Sequence, residues 1–172
     1  MINLFSKSYT EKEINFFRFL SRMKLFEKLT YKEMSLLHPF FYLREYKMDE
    51  VVFFRNDPSN ALYLVKSGKV SLCLDMKEGF ENLLIIKAGT VFGENAFLKQ
   101  AIRQFNAIVT SEKSELYVIP KVNLDDTLEG HSKIKSKMLE SLAEIYNDFQ
   151  MNLFKGYKSS HGLFDLSQVF GN

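Results

Sequence analysis

The sequence predicts a mainly β fold with flanking helices: a jelly roll, or double-stranded β-helix, preceded by N-terminal helices and followed by a long C-terminal helix. Three observations carry this. Apolar residues recur at helical spacing at both ends of the chain, whereas between about Phe40 and Pro120 the period shortens to two with frequent turn residues. A length of 172 residues, 46% hydrophobic and 26% charged, suits one compact domain with an appended element. Seventeen Phe supply bulk for a core, while eight Gly and three Pro are too few for a disordered chain.

Taken in order, residues 1–38 form a helical segment. Thr10 and Glu13 have the spacing of a capping box, and Ile14, Phe16, Phe17, Leu20 and Met23 follow on one face. Leu25, Phe26 and Leu29 make an apolar link. Thr30 and Glu33 repeat the capping signature ahead of Met34, Leu36 and Leu37, and Pro39 stops that helix.

Residues 39–120 read as the roll. Val51 to Phe54 is one strand, closed by Asn56-Asp57-Pro58-Ser59. Ala61 to Val65 and Val70 to Met76 flank Ser67-Gly68 and are expected to form a hairpin; a second turn follows at Glu78-Gly79. Leu83 to Ile86 is a further strand, Gly89 to Gly93 a bend, and Ala107 to Val109 with Leu116 to Ile119 the expected closing pair.

Residues 121–156 read as the long helix, with Ile134, Met138, Leu142, Ile145, Phe149 and Leu153 on one apolar seam. A seam of that length invites a partner helix, so a homodimer through Met138, Leu142, Ile145, Phe149 and Leu153 is expected. The tail 157–172 carries Leu163, Phe164, Leu166, Val169 and Phe170 and is expected to dock.

Composition excludes several function classes. A net charge of +2, from 23 basic and 21 acidic residues, creates no one-signed field of the kind used for nonspecific nucleic-acid binding. The lone Cys73 cannot form an intrachain disulfide, and His38, His131 and His161 are scattered without metal-ligand spacing, so neither a metal nor a cofactor is expected. With no nucleophile elbow or P-loop, the reading is non-enzymatic. No apolar run spans a bilayer and no leader pattern follows Met1, which makes the cytoplasm the expected compartment. Lys133, Lys135 and Lys137, like Lys155 and Lys158, read as solvated helix faces.

Ala61-Leu62-Tyr63-Leu64-Val65-Lys66-Ser67-Gly68-Lys69-Val70 and Gly89-Thr90-Val91-Phe92-Gly93-Glu94, within the order helices, roll and long helix, resemble the cyclic nucleotide-binding domain. The likeness covers roughly Leu25 to Phe154. It implies a regulatory module, of the kind found in catabolite-activator-type regulators and kinase regulatory subunits, whose ligand is cyclic AMP, cyclic GMP or another small molecule. It also implies roles for particular residues. Gly93 lets the backbone approach the ligand, Glu94 accepts a hydrogen bond from the ribose 2′-hydroxyl, and Asn95 and Ala96 open a short phosphate-facing helix. Leu72, Leu83 and Leu84 line the base side, and Phe149 or Gln150 lies near the lid.

Counted back from Leu116, the position of the family's phosphate-binding arginine falls on Gln104, with Arg103 one residue early and pointing away as a solvated cation. Phe105 then stands where a small residue adjoins the phosphate. Such a replacement would weaken cyclic AMP binding roughly 100-fold. Two readings follow: a sensor whose ligand moves the C-terminal helix, and a degenerate domain of the same fold serving as a protein-interaction scaffold. Regulators resembling this domain append a DNA-reading helix-turn-helix after the long helix, for which the residues beyond Gly156 are too few, so direct DNA binding is not expected.

Overall fold

The computed structural model describes residues 8–77 and 79–161. Both capping boxes are formed. Thr10 caps α1 (Glu11–Ser21) and Thr30 caps α2 (Tyr31–Leu37), each hydroxyl accepting from the Glu backbone N–H three residues on while that carboxylate accepts from the cap N–H. Pro39 does not simply end α2; it occupies the first turn of a 3-10 segment, His38–Phe40, that leads into the first strand.

Eight strands among the described residues form two four-stranded antiparallel sheets. β1 (Tyr42–Lys47), β8 (Lys113–Pro120), β3 (Ala61–Ser67) and β6 (Val91–Phe92) make one, in the order β1-β8-β3-β6. β2 (Val51–Phe53), β7 (Asn106–Val109), β4 (Lys69–Asp75) and β5 (Phe80–Lys87) make the other, in the order β2-β7-β4-β5. Successive strands therefore change sheet at every connection except that between β4 and β5, and this alternation is what makes a roll.

Two sequence expectations change here. β3 and β4 are not a hairpin: β3 pairs with β6 and β8, β4 with β5 and β7, and Gly68 is the corner between sheets. Its φ of +85° is one that side chains rarely adopt, and an added Cβ would overlap the Lys113 carbonyl and the Ser114 hydroxyl. Likewise β7 and β8 do not pair with each other, because Val109 leaves one sheet and Lys113 enters the other. β4 and β5, by contrast, do pair as an antiparallel hairpin.

Two apolar clusters result. Leu62, Leu64 and Ile119 face outward from the first sheet and pack with Phe16, Phe17 and Leu20 of α1, Met34 and Leu37 of α2, and the C-terminal helices. Tyr63, Val65, Leu116 and Val118 face inward and meet Val70, Ile86, Ala107 and Val109 of the second sheet.

The C-terminal segment is two helices. α3 (Lys121–Gly130) ends before His131, and α4 (Ser132–His161) runs 30 residues. The seam expected to meet a partner divides. Met138 and Leu142 are buried against the chain's own helices and Ile145 packs at their margin, whereas Phe149 and Leu153 are 59% and 60% exposed. α4 is also tied down by charge: Lys28 reaches Glu140 and Glu144 at 2.6 Å, Lys24 reaches Asp148, and Lys137 reaches Glu33 at 2.7 Å. Among the described residues no helix is long and apolar enough to cross a membrane. Of the tail 157–172 expected to dock, residues 157–161 continue α4, and 162–172 lie outside the described residues.

Candidate functional site

The site grows from the bend between β6 and the 3-10 turn Glu94–Phe97. Gly93, with φ of +75°, caps that turn. Its freedom is required by a neighbour: a Cβ there would stand 2.6 Å from Nη1 of Arg103.

Arg103 is only 2% exposed. Its Nη1 donates to the Gly93 carbonyl and to Asn95 Oδ1, both at 3.1 Å, and its Nη2 donates to the Ala61 carbonyl at 2.6 Å. The guanidinium lies over the Phe53 ring, 4.2 Å from its centroid, and 5.6 Å from that of Tyr63. Nε is buried with no hydrogen-bond partner among the described residues. Burial pulls the Arg103 pKa below its ordinary value, and the phenol of Tyr63 and the carboxylates of Glu94 and Asp57 act in the opposite sense.

This corrects the expectation that Arg103 points away from the site. The segment before β7 is held by the loop after β2: Pro58 bridges Ile102, Arg103 N–H donates to the Asp57 carbonyl at 2.8 Å, and Asn56 N–H donates to the Arg103 carbonyl at 2.9 Å. Gln104 is exposed and forms a bend with the half-buried Phe105. Counting back from Leu116 crosses the link between strands of different sheets, where alternation has no meaning. Arg103 itself lies outside β7, separated from it by that bend, so strand parity does not set its direction.

Asn95 has a larger role than opening a helix. Its Oδ1 accepts from Ser59 Oγ at 2.7 Å as well as from Arg103, and its Nδ2 donates to the Ile102 carbonyl at 2.7 Å, so one amide joins three segments of the site. Ala96 is fully buried and Glu94 half-buried. Behind them Tyr63 and Phe92 stack with centroids 5.2 Å apart, and Phe53 completes an aromatic trio.

Leu72 and Leu84 are directly paired, and Leu72 packs on the roll interior. Leu84 has the parity of the buried Ile86 yet is 51% exposed, so the roll is open along β5. Leu83 is the extra residue of a β-bulge rather than a partner of Leu72. Phe149 is 59% exposed; one turn earlier on α4, burial pushes the Tyr146 phenol up to about 12, with the Glu94 charge adding in the same direction. Tyr146, Phe53 and Tyr63 were absent from the sequence-derived site because their positions follow from sheet and helix packing. A separate surface cleft of about 460 Å³ between α2 and the α3–α4 junction lies elsewhere, and its carboxylate Glu33 is already matched by Lys137.

Residues 43–131 match a family model described as the cyclic nucleotide-binding domain. This chain belongs to that family. Among relatives of the domain, a cGMP-dependent protein kinase of Toxoplasma gondii is 26% identical over 86% of this chain and 14% of its own length. A cyclic AMP receptor protein of Thermus thermophilus is 34% identical over 55% of this chain and 44% of its own. The chain thus spans less than half the length of these curated relatives. Among solved structures, the Thermus thermophilus catabolite activator protein superposes with a TM-score of 0.63 and 26% identity over 76% of this chain and 61% of its own. The sensor domain of the transcriptional regulator DNR from Pseudomonas aeruginosa shares the fold with a TM-score of 0.68 and 20% identity, over 84% of this chain and 95% of its own.

Proposed function

We propose that this chain is a non-enzymatic regulatory sensor that binds a cyclic nucleotide in the roll and passes its occupancy to α4. The observation that carries this is Arg103, read as the arginine of a phosphate-binding cassette that begins at Gly93: its guanidinium is 2% exposed, its hydrogen bonds run to uncharged oxygens, and its Nε has no hydrogen-bond partner among the described residues. A buried cation without a bound anion is costly, and a cyclic phosphate at the cassette would supply the charge and the acceptor. Glu94 stands ready for the ribose hydroxyl, Leu72 and Leu84 flank the open side, and Tyr146 brings α4 to the ligand's edge. Titration calorimetry tests this: heat with cyclic AMP or cyclic GMP at micromolar concentration, lost in Arg103→Met and weakened in Glu94→Ala, is expected. Silence with both ligands sinks the sensor reading.

The scaffold reading draws on one feature, that the chain's own carbonyls already engage both Nη atoms of Arg103. Absence of binding to either cyclic nucleotide by the wild type would favour it. For the oligomer, the exposed Leu139, Tyr146, Phe149 and Leu153 are spaced by seven, three and four along α4, the stride of a coiled-coil seam, and support a parallel homodimer. Light scattering at twice the monomer mass, reduced by Phe149→Glu, is the expected result; monomer at high concentration refutes it.

A further inference from the structure

Lys121 stands where local physics disfavours it. It is the first residue of α3, a helix whose cap, Pro120, makes no side-chain hydrogen bond and whose first turn holds no acid, so its charge opposes the positive end of the helix dipole. The side chain is nevertheless only 21% exposed. Its Nζ donates to the Ala96 carbonyl in the cassette turn at 2.6 Å and pairs with Asp125, one turn along α3, at 3.1 Å. The same residue's backbone N–H donates to the Asn60 carbonyl at 2.8 Å, next to Ala61, whose carbonyl receives Arg103. One residue therefore joins the entry to β3, the cassette and α3.

A polar chain results. Arg103 holds Gly93 and Asn95; the turn they begin carries Ala96; Ala96 is held by Lys121; and Lys121 is held by Asp125 on the helix that leads into α4. Beside this contact is a small cavity of about 80 Å³ lined by Phe97, Lys121, Asp125, Leu128, Lys135 and Leu139, which leaves room between the cassette, α3 and α4 for the turn to shift. An anion engaging Arg103 competes for the Nη groups that now bind Gly93 and Asn95, so occupancy alters the position of the turn and of the Ala96 carbonyl.

We propose that Lys121 is the positioning residue through which the cassette's occupancy reaches α3 and α4; this rests on the cyclic-nucleotide reading above. The lysine does not touch the ligand. It makes the orientation of the C-terminal helices depend on the cassette turn, and by linkage makes ligand affinity depend on those helices.

Hydrogen exchange read by mass spectrometry, with and without saturating cyclic AMP, tests the assignment. In the wild type the ligand is expected to change exchange both at residues 93–103 and along residues 132–149. Lys121→Met keeps the aliphatic stem; it should bind cyclic AMP within about threefold of wild type and retain the cassette response, while the α4 response falls by at least half. Lys121→Arg should restore it. Asp125→Asn, a milder change at an exposed position, should reduce the α4 response partway and serves if Lys121→Met does not fold. An α4 response unchanged in Lys121→Met, or in Asp125→Asn where Met is not tolerated, overturns the assignment while leaving the sensor reading intact. Failure of the wild type to bind cyclic AMP or cyclic GMP removes both.

Discussion

The two faces of the β1-β8-β3-β6 sheet bury their side chains in different company. On the outer face, Leu62, Leu64 and Ile119 meet Phe16, Phe17, Leu20, Leu25 and Phe26, an interior of hydrocarbon sealed by helices. On the inner face, Tyr63 and Phe92 share the roll with a buried guanidinium, and two buried polar atoms there, Tyr46 Oη and Arg103 Nε, have no partner among the described residues. Burial is the main cause that pushes the Tyr46 phenol up to about 12, against the opposing charge of Arg44. The outer interior is arranged for stability, whereas the inner one holds unmatched polarity that a ligand can satisfy.

Substitutions on each face should therefore differ in size and in what they report. Phe17→Ala, which empties a fully buried ring site in the outer interior, should cost about 3–5 kcal/mol in denaturant unfolding. Arg103→Met should change the stability of the ligand-free protein by no more than about 1–3 kcal/mol, because relief of the buried charge offsets the loss of its bonds to Gly93, Asn95 and Ala61, while abolishing ligand binding. A large loss of stability there would mean that the roll needs the cation for folding rather than for binding. Ser141→Ala sharpens the contrast on a smaller scale. Among the described residues the Ser141 hydroxyl is a buried α4 atom without a hydrogen-bond partner, and its removal should stabilise by about 1 kcal/mol.

The smallest expected effect concerns pH. Burial raises the Glu33 pKa, but the hydrogen bonds from Lys137 and Thr30 outweigh it and leave the carboxyl below its ordinary value of 4.5. A group depressed in the folded state contributes stability above its unfolded pKa and loses it as pH falls through the folded one. Glu33→Gln should therefore flatten the acid limb of the stability curve below roughly pH 4.5 and leave its dependence at neutral pH unchanged, measured by urea unfolding across pH.

Local signals carried much of this fold. The Thr10–Glu13 and Thr30–Glu33 boxes act within four residues, so their helices start where the sequence marks them. The stretch from Gly89 to Glu94 likewise marks the cassette, because the positive φ at Gly93 must be met by that residue itself. Less was legible where a feature depends on a distant partner. Gly68 turns the chain whether the strands beside it form a hairpin or a corner, and only the pairing of β3 with β8 and of β4 with β7 selects the corner. The spacing of Met138, Leu142, Phe149 and Leu153 shows an apolar seam but not which part α1 and α2 cover.

Sequence by itself determined the family's roll, its flanking helices and the position of Gly93 and Glu94, since periodicity, capping and backbone freedom are local quantities. Tertiary structure decided that Arg103, not Gln104, enters the site, because the loop carrying Asp57 and Pro58 fixes the rotation of residues 102–103. It also decided that Tyr146 is the α4 side chain whose phenol feels the Glu94 charge and that Lys121 reaches Ala96, since each depends on how helices seat against a sheet formed by strands far apart in the chain.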